Sequence, residues 1–444
     1  MYVIEKPPIE PRLQKRYRIL VEQHLGTCKS IATGVRVRLT QSSPKAAAKG
    51  ASRFYDNDAI SLLDLGAPLV KRARQEIKEH CQSYALCVHD VSALHYTNHP
   101  SKTDRCVMYS QDDLGYKLQT ALLISDQDGA PLAPGCMNLE AADGVHSTRR
   151  ETLLPKRPWV DELNRTMGYL QAQQFDLPLV HIIDREGDKL LQMRRFARCD
   201  RLFIIRANDE RRLEYEGQSR LLMEVEATLS DKFKFSREIE YKGKRARQYV
   251  AETTVILKQP ARIYRKRQGK LVQRKIPGRP LVLRLILAQV RDKNGKVLAT
   301  WRLWTNLPPE VDASTIALWY YWRWRIESFF KLLKRAGQHV EQWQQENASR
   351  IAKRLLVAAQ ACVVIWALMH SEDPQSDTLR RLLMRLSGRM TKPGVDYTAP
   401  ALFDGMFSLL AIVDALDRYP VAEIRQMASF VSQMLGLPDK TQIQ

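Results

Sequence analysis

Residues 84–96 read YALCVHDVSALHY. Upstream of them the chain has helical periodicity; here it switches to apolar runs and alternation of period two, the mark of half-buried strands. Two stretches of the same kind follow, YKLQTALLISD (116–126) and APLAPGCMNLE (130–140), joined through the turn-former DQDG (126–129). An amphipathic helix comes next in RPWVDELNRTMGYLQAQQF (157–175), then a short buried strand LPLVHIID (177–184), a helix DKLLQMRRFARC (188–199) and a strand RLFIIRA (201–207). Three strands followed by helix and strand in alternation predict an α/β fold, a mixed sheet covered by helices, over 84–209.

The flanks read differently. The first fifty residues hold ten Lys or Arg against three acids, Glu5, Glu10 and Glu22, in helix-like segments such as RLQKRYRILVEQHL. Two further helical patterns run to His80, so 1–83 reads as a small basic helical module. From 210 to 308 the chain is strand-rich, with RQYVAETTVIL, RPLVLRLILAQVRD and KVLATWRLWTN, and reads as a β insertion. Residues 309–370 return to helix, and 371–444 is helical throughout, with Pro420 suited to a first helical turn. The stripe Ile424, Met427, Phe430, Val431 and Met434 suits intramolecular core, with a dimer interface as the other use.

The 444 residues carry 70 Lys and Arg against 49 Asp and Glu, a formal +21. That excess favours a polyanionic partner, nucleic acid before an anionic membrane. The longest apolar run, LLVAAQACVVIWALM (355–369), contains Gln360 and falls short of a membrane span, and the N-terminus lacks the apolar stretch of a secretory signal. A cytoplasmic protein with no membrane partner is expected. Seven scattered cysteines without a C-x-x-C argue against a disulfide framework and against a structural zinc site.

Within that frame one helical stretch stands out, YYWRWRIESFFKLLK (320–334), where Glu327 is the only acid. At about 100° per residue, Tyr320, Arg323, Glu327, Lys331 and Lys334 share one face, with Trp322, Ile326, Phe329 and Leu333 forming an apolar stripe opposite. Alone, the polar face could be exposed ion pairs worth a few tenths of a kcal/mol each. Two aspartates break the tie: Asp90 within the first apolar strand, and Asp184 at the end of HIID. A carboxylate in a buried strand is costly unless it is paired, hydrogen-bonded or bound to a cation. Each Asp alone could be a turn residue or a helix cap. Asp90, Asp184 and Glu327 together, in a basic chain, favour a metal site. Mg²⁺ takes oxygen ligands, and two such ions about 3.5–4 Å apart can clamp an in-line displacement at phosphorus. Arg323, Lys331 and Lys334 would then hold phosphates.

Tyr320, Arg323, Glu327 and Lys334 have the spacing Y-x2-R-x3-E-x6-K, which resembles the YREK signature of DDE transposases of the insertion-sequence-four family. Asp90 and the DREGD beginning at Asp184 arrive in that family's order, and ASRFYDN (51–57) resembles its N-terminal DNA-binding region. The resemblance implies an RNase H-like core with a β insertion between the second Asp and the Glu. It makes Asp90, Asp184 and Glu327 the catalytic, metal-binding triad for two Mg²⁺ ions, for which Mn²⁺ could substitute. It makes Tyr320, Arg323, Lys334 and Arg53 contacts to element-end DNA, and places Trp301 where relatives insert an aromatic at a flipped base, with Trp304 as competitor or a strand-packing role for either. It also implies cut-and-paste transposition through a hairpin end by a homodimer on double-stranded DNA. Val91 and Ser92 follow Asp90 where the family shows hydroxyl residues, and Ser52 stands for a common Tyr.

The run RIYRKRQGKLVQRKIPGR (262–279) holds eight cations and no acid, suiting a solvated hairpin tip or phosphate binding with Tyr264 as a stacking group. His89, His95 and His99 lack a cysteine at ligand spacing and do not read as a zinc set. No P-loop, dinucleotide or serine-hydrolase motif occurs. The expected activity is Mg²⁺-dependent cleavage and strand transfer at element ends. The rivals are a non-cleaving end-binding repressor or domesticated derivative, and a structure-selective nuclease on the same fold.

Overall fold

The computed structural model describes residues 4–26, 43–267, 270–390, 395 and 397–436, without the side chains of 44 and 263–271. Residues 27–42 of the expected N-terminal module and the Tyr264 side chain lie outside the described residues.

The three apolar stretches are strands β1 (Ala85–His95), β2 (Leu114–Ser125) and β3 (Pro131–Glu140), paired antiparallel in turn. Pro131 and Pro134 remove two ladder donors from β3, and the β2–β3 register shifts at Ala121/Leu122 and Leu123/Ile124. On the other side of β1, β4 (Leu179–Ile183) and β5 (Leu202–Arg206) run parallel to it. The helix Trp159–Ala172 leads the chain into β4, and the helix Leu190–Arg198 carries it from β4 to β5.

The strand-rich stretch does not stand apart. Its long strands β6 (Lys244–Leu257), β7 (Leu281–Arg291) and β8 (Val297–Thr305) pair in sequence, and β8 joins β5 antiparallel through Trp304 opposite Ile205. The sheet order is therefore β3-β2-β1-β4-β5-β8-β7-β6, part of one mixed sheet of thirteen strands among the described residues. The basic run forms a separate two-stranded ribbon, Ala261–Arg267 with Lys270–Ile276.

Besides a short helix at Leu222–Thr228, the helices among the described residues are α1 (Pro11–Leu25), α2 (Pro44–Tyr55), α3 (Leu62–His80), α4 (Trp159–Ala172), α5 (Leu190–Arg198), α6 (Ala313–Tyr321), α7 (Trp324–Lys334), α8 (Ala348–His370), α9 (Pro374–Ser387), α10 (Ala399–Arg418) and α11 (Val421–Met434). They cover both faces of the sheet. Leu163 and Met167 of α4 and Met193 and Phe196 of α5 close over Ile183, Phe203 and Ile205. Leu86, Val88, Val180, Ile182 and Ile204 belong instead to the larger core that takes in α1, α3, α7 and α8. Successive strand residues point to opposite faces, which is how two helical layers share one sheet.

Three differences from the sequence reading have physical causes. Residues 320–334 are not one helix: Arg323 N–H donates to Tyr320 O at 3.1 Å and Arg325 N–H to Trp322 O at 2.9 Å, a three-residue tightening that separates α6 from α7. The apolar stripe survives the break, with Ile326, Phe329 and Leu333 fully buried and Trp322 nearly so. Second, the run at 355–369 extends to a 23-residue helix, and α8 and the 20-residue α10 are both long and apolar enough to cross a membrane by length and composition. In α8 that apolar length is taken up by the core, 83% of the window being buried within the protein. Third, α11 buries no residue, so its stripe is not intramolecular core: Phe430 and Met434 are 58% and 71% exposed.

Candidate active site

Asp90 sits in the middle of β1, opposite Thr120 of β2. The last pair between β1 and β4 is Val88 with Ile182, so two residues further on Asp90 and Asp184 come level on the same face. The pairing of Ile183 with Ile205 likewise sets Arg206 beside Asp184. Over this face α7 lays its first turns, held down by the Trp322, Ile326, Phe329 and Leu333 stripe.

Arg323 is bonded directly to one of the acids. Arg323 Nη1 donates to Asp90 Oδ2 at 2.8 Å, while Asp90 Oδ1 accepts from Val91 N–H at 2.8 Å. Burial opposes the charge of Arg323, yet Tyr320, Asp90, Asp184 and Glu327 around it together raise its pKa. Asp90 is pushed up to about 6, first by burial and then, against the pull of Arg323 and the Val91 hydrogen bond, by Glu327 and Asp184. Tyr320, 4% exposed, has its phenol pKa raised by burial, with Arg323 and Arg206 opposing and Arg206 also hydrogen-bonded to it. Three acids, two arginines and a tyrosine thus feel one another across strands β1, β4 and β5 and helices α6 and α7.

The acids differ in how they are held. Asp184 does cap a short helical turn, accepting from Glu186 N–H at 3.0 Å, so its mundane role and its place in the cluster coexist. The other aspartate of DREGD, Asp188, is structural: it is buried and bound by Arg211 at 2.6 Å and by Asn208 N–H at 2.8 Å. Glu327 is exposed on α7. Lys334, at the far end of that helix, donates to Ala93 O at 2.5 Å and lies 3.3 Å from Glu341, which pins α7 to the end of β1. Lys331 is exposed on the same helix.

An all-oxygen donor set with more acid than base fits a hard divalent cation. Among the described residues, the clusters whose ligand atoms all lie within 4.8 Å of one another are Cys87–His89–His181 and Glu76–Glu79–His80. The three acids are spread more widely, with Arg323 among them.

No known protein family and no curated protein matches the chain. Among solved structures it is similar to the piggyBac transposase in a cryo-EM synaptic complex with hairpin DNA, at 10% identity and a TM-score of 0.36, over 96% of this chain and 75% of that one. So low a score fixes neither fold nor activity.

Of the aromatic candidates, Trp301 lies on the side of the acids, its ring 5.7 Å from Tyr320 and 6.3 Å from Tyr321, and is 5% exposed. Trp304 is fully buried in the core on the opposite face. Trp324, next to Arg323 in sequence, is 56% exposed, with the Arg323 guanidinium 5.4 Å from its ring. Arg53 is not brought to the acids among the described residues; it lines a basic cleft between α1 and α2 with Arg12, Lys15 and Arg16. Sequence reasoning missed Arg206, whose only signal was a cation at the end of a strand whose partner was unknown. It also missed Cys87, two residues before His89 and on the same face.

Proposed function

We propose that this chain is a divalent-cation-dependent DNA transposase with an RNase H-like core, acting in the cytoplasm on the ends of an insertion sequence. The observation that carries the reading is the strand register that sets Asp90 and Asp184 level on neighbouring strands, with Arg323 at the start of the Glu327 helix bonded to Asp90 at 2.8 Å. Three antiparallel strands followed by two parallel ones support the core assignment. Asp90, Asp184 and Glu327 would hold two Mg²⁺ ions, whose chemistry is to activate a water and to neutralise charge at phosphorus.

The rest falls to the protein's own side chains. Arg323 and Arg206 present guanidinium donors to phosphate oxygens, and Arg geometry suits bidentate phosphate contact. Trp324 offers a face for stacking an unpaired base. Lys334 ties the far end of α7 to β1, the strand that carries Asp90. Water would cleave the phosphodiester at the element's end to free a 3′-OH, and that hydroxyl would attack a second phosphodiester; each step exchanges or hydrolyses one ester, so no nucleotide hydrolysis is needed. The exposed Met427, Phe430, Val431 and Met434 on α11 support a homodimer that holds two ends.

The test is to incubate the full chain with labelled DNA carrying the inverted repeats that flank its gene, with Mg²⁺ or Mn²⁺ and without. Nicks at the repeat ends, hairpins and joined products are expected only with the cation. Binding without cleavage would sink the reading in favour of a repressor, and nicking indifferent to the repeats would favour a nuclease.

A further inference from the structure

On the reverse face of the strands that bear the two aspartates lies a second group of chemically capable side chains, independent of the activity proposed above. Cys87 and His89 alternate on β1 and so share the face opposite Asp90, and the parallel pairing sets His181 of β4 directly beside Cys87. All three are buried, at 0%, 2% and 3% exposure. Cys87 Sγ lies 3.4 Å from His89 Nε2, which lies 2.9 Å from His181 Nδ1, and all three ligand atoms fall within 4.8 Å of one another. With metal–sulfur near 2.3 Å and metal–nitrogen near 2.0–2.1 Å, ligand atoms in a tetrahedral or trigonal shell stand roughly 3.3–3.8 Å apart. The observed spacings need only a few tenths of an ångström of opening. His95 and His99 take no part; His95 is bonded to Asp113 at 2.7 Å.

We propose that Cys87, His89 and His181 form a closed site for one thiophilic d10 cation, which staples β1 to β4 behind the acids. Soft thiolate with imidazole selects cuprous ion or zinc over hard cations. Charge favours cuprous ion: one thiolate neutralises a monovalent cation, whereas a divalent ion would leave a net positive charge in a dry site. Binding breaks the Cys87 S–H bond and makes a metal–sulfur bond, with that proton released to solvent. The proton now shared between His89 Nε2 and His181 Nδ1 shifts to the outer nitrogen of its own ring, and no electron moves. The staple would fix the two strands three residues before Asp90 and three before Asp184.

The decisive variant is Cys87→Ala, which removes one ligand and leaves the His89–His181 hydrogen bond in place. Wild-type full chain and variant are each prepared from cells grown with added copper or added zinc. Each is also refolded anaerobically from urea with cuprous ion or zinc, since a buried site loads most readily during folding. Circular dichroism first checks that the variant folds; the partly exposed Cys81 and Cys199 are common to both proteins and cancel. One ion per chain in the wild type above the variant, with a melting temperature raised by the ion only in the wild type, is expected. The copper and zinc arms decide which cation it is. Equal metal content in the two proteins by both routes would overturn the site and leave a metal-free hydrogen-bonded histidine pair.

Discussion

Asp90 is held where its charged form is disfavoured. Its side chain is 19% exposed, Arg323 attracts it at 2.8 Å, and burial still wins, leaving its pKa at about 6. The sign of the linkage follows: a carboxyl raised above its unfolded value contributes stability that is complete below pH ~4 and is lost as the pH rises through about 6. Asp90→Asn is therefore expected to stabilise the cation-free protein by about 2 kcal/mol at pH 8, read as a urea midpoint, while abolishing cleavage. At limiting Mg²⁺, cleavage should rise with pH through about 6, because a proton on Asp90 competes with the cation, and saturating Mg²⁺ should shift that rise to lower pH; a profile that Mg²⁺ does not shift would count against its role. Glu327→Ala, exposed and remote from the core, should leave DNA affinity unchanged and remove cutting. Arg323→Ala should weaken binding and lower the salt slope by about 1. The three acids were legible because an acid in an apolar strand, or alone on a basic helix face, asks for a partner. Arg206 and Cys87 were not, because a cation at a strand end and a buried thiol each have an ordinary explanation until the neighbouring strand is known.

At the scale of elements, the β2–β3 turn and the start of α7 are one unit. Gly129 has φ +68°, and a Cβ built there would stand 2.4 Å from Trp322 Cγ. Gly129→Ala therefore combines left-handed backbone strain with overpacking, about 3 kcal/mol in all. Because Trp322 precedes Arg323, the variant should also weaken DNA binding, whereas a Gly295→Ala control, strained at φ +82° but with nothing within 4 Å, should lose less stability and bind DNA normally. Equal losses in the two would mean that the turn does not position α7. Most strands and helices could be read from periodicity, since each pattern is local. The β5–β8 pairing could not, because it joins residues about a hundred positions apart through ladder bonds that leave no mark on either segment. The break between α6 and α7 was hidden too: no Pro or Gly marks it, and the stripe continues across it.

The whole molecule carries +21 and buries several imidazoles as neutral groups. His24 is lowered to about 3 by burial and then by Arg354, against the pull of its hydrogen bond to Gln338. His370 falls to about 4 by burial first, with Asp128 opposing and His80 and Arg325 assisting. His89 and His181 are lowered by burial as well. A histidine lowered in the fold contributes stability above the unfolded value near 6.5 that is lost as the pH falls toward the folded one, because unfolding takes up a proton. Four such groups take up protons between pH 6 and 4, while Asp90 and Glu76, both raised by burial, work in the opposite sense. The buried imidazoles outnumber these carboxyls, so the net is a loss of stability on acidification, each proton taken up being worth about 1.4 kcal/mol per pH unit. Surface repulsion at this net charge would also destabilise the protein in acid, but added salt screens it and does not reach buried rings. Urea midpoints at pH 7, 6 and 5, each at low and high salt, separate the two: the histidine share should persist in salt, and His24→Gln should flatten the slope by about one proton's worth. A pH dependence that vanished in high salt would place the acid sensitivity on the surface and remove these imidazoles from it.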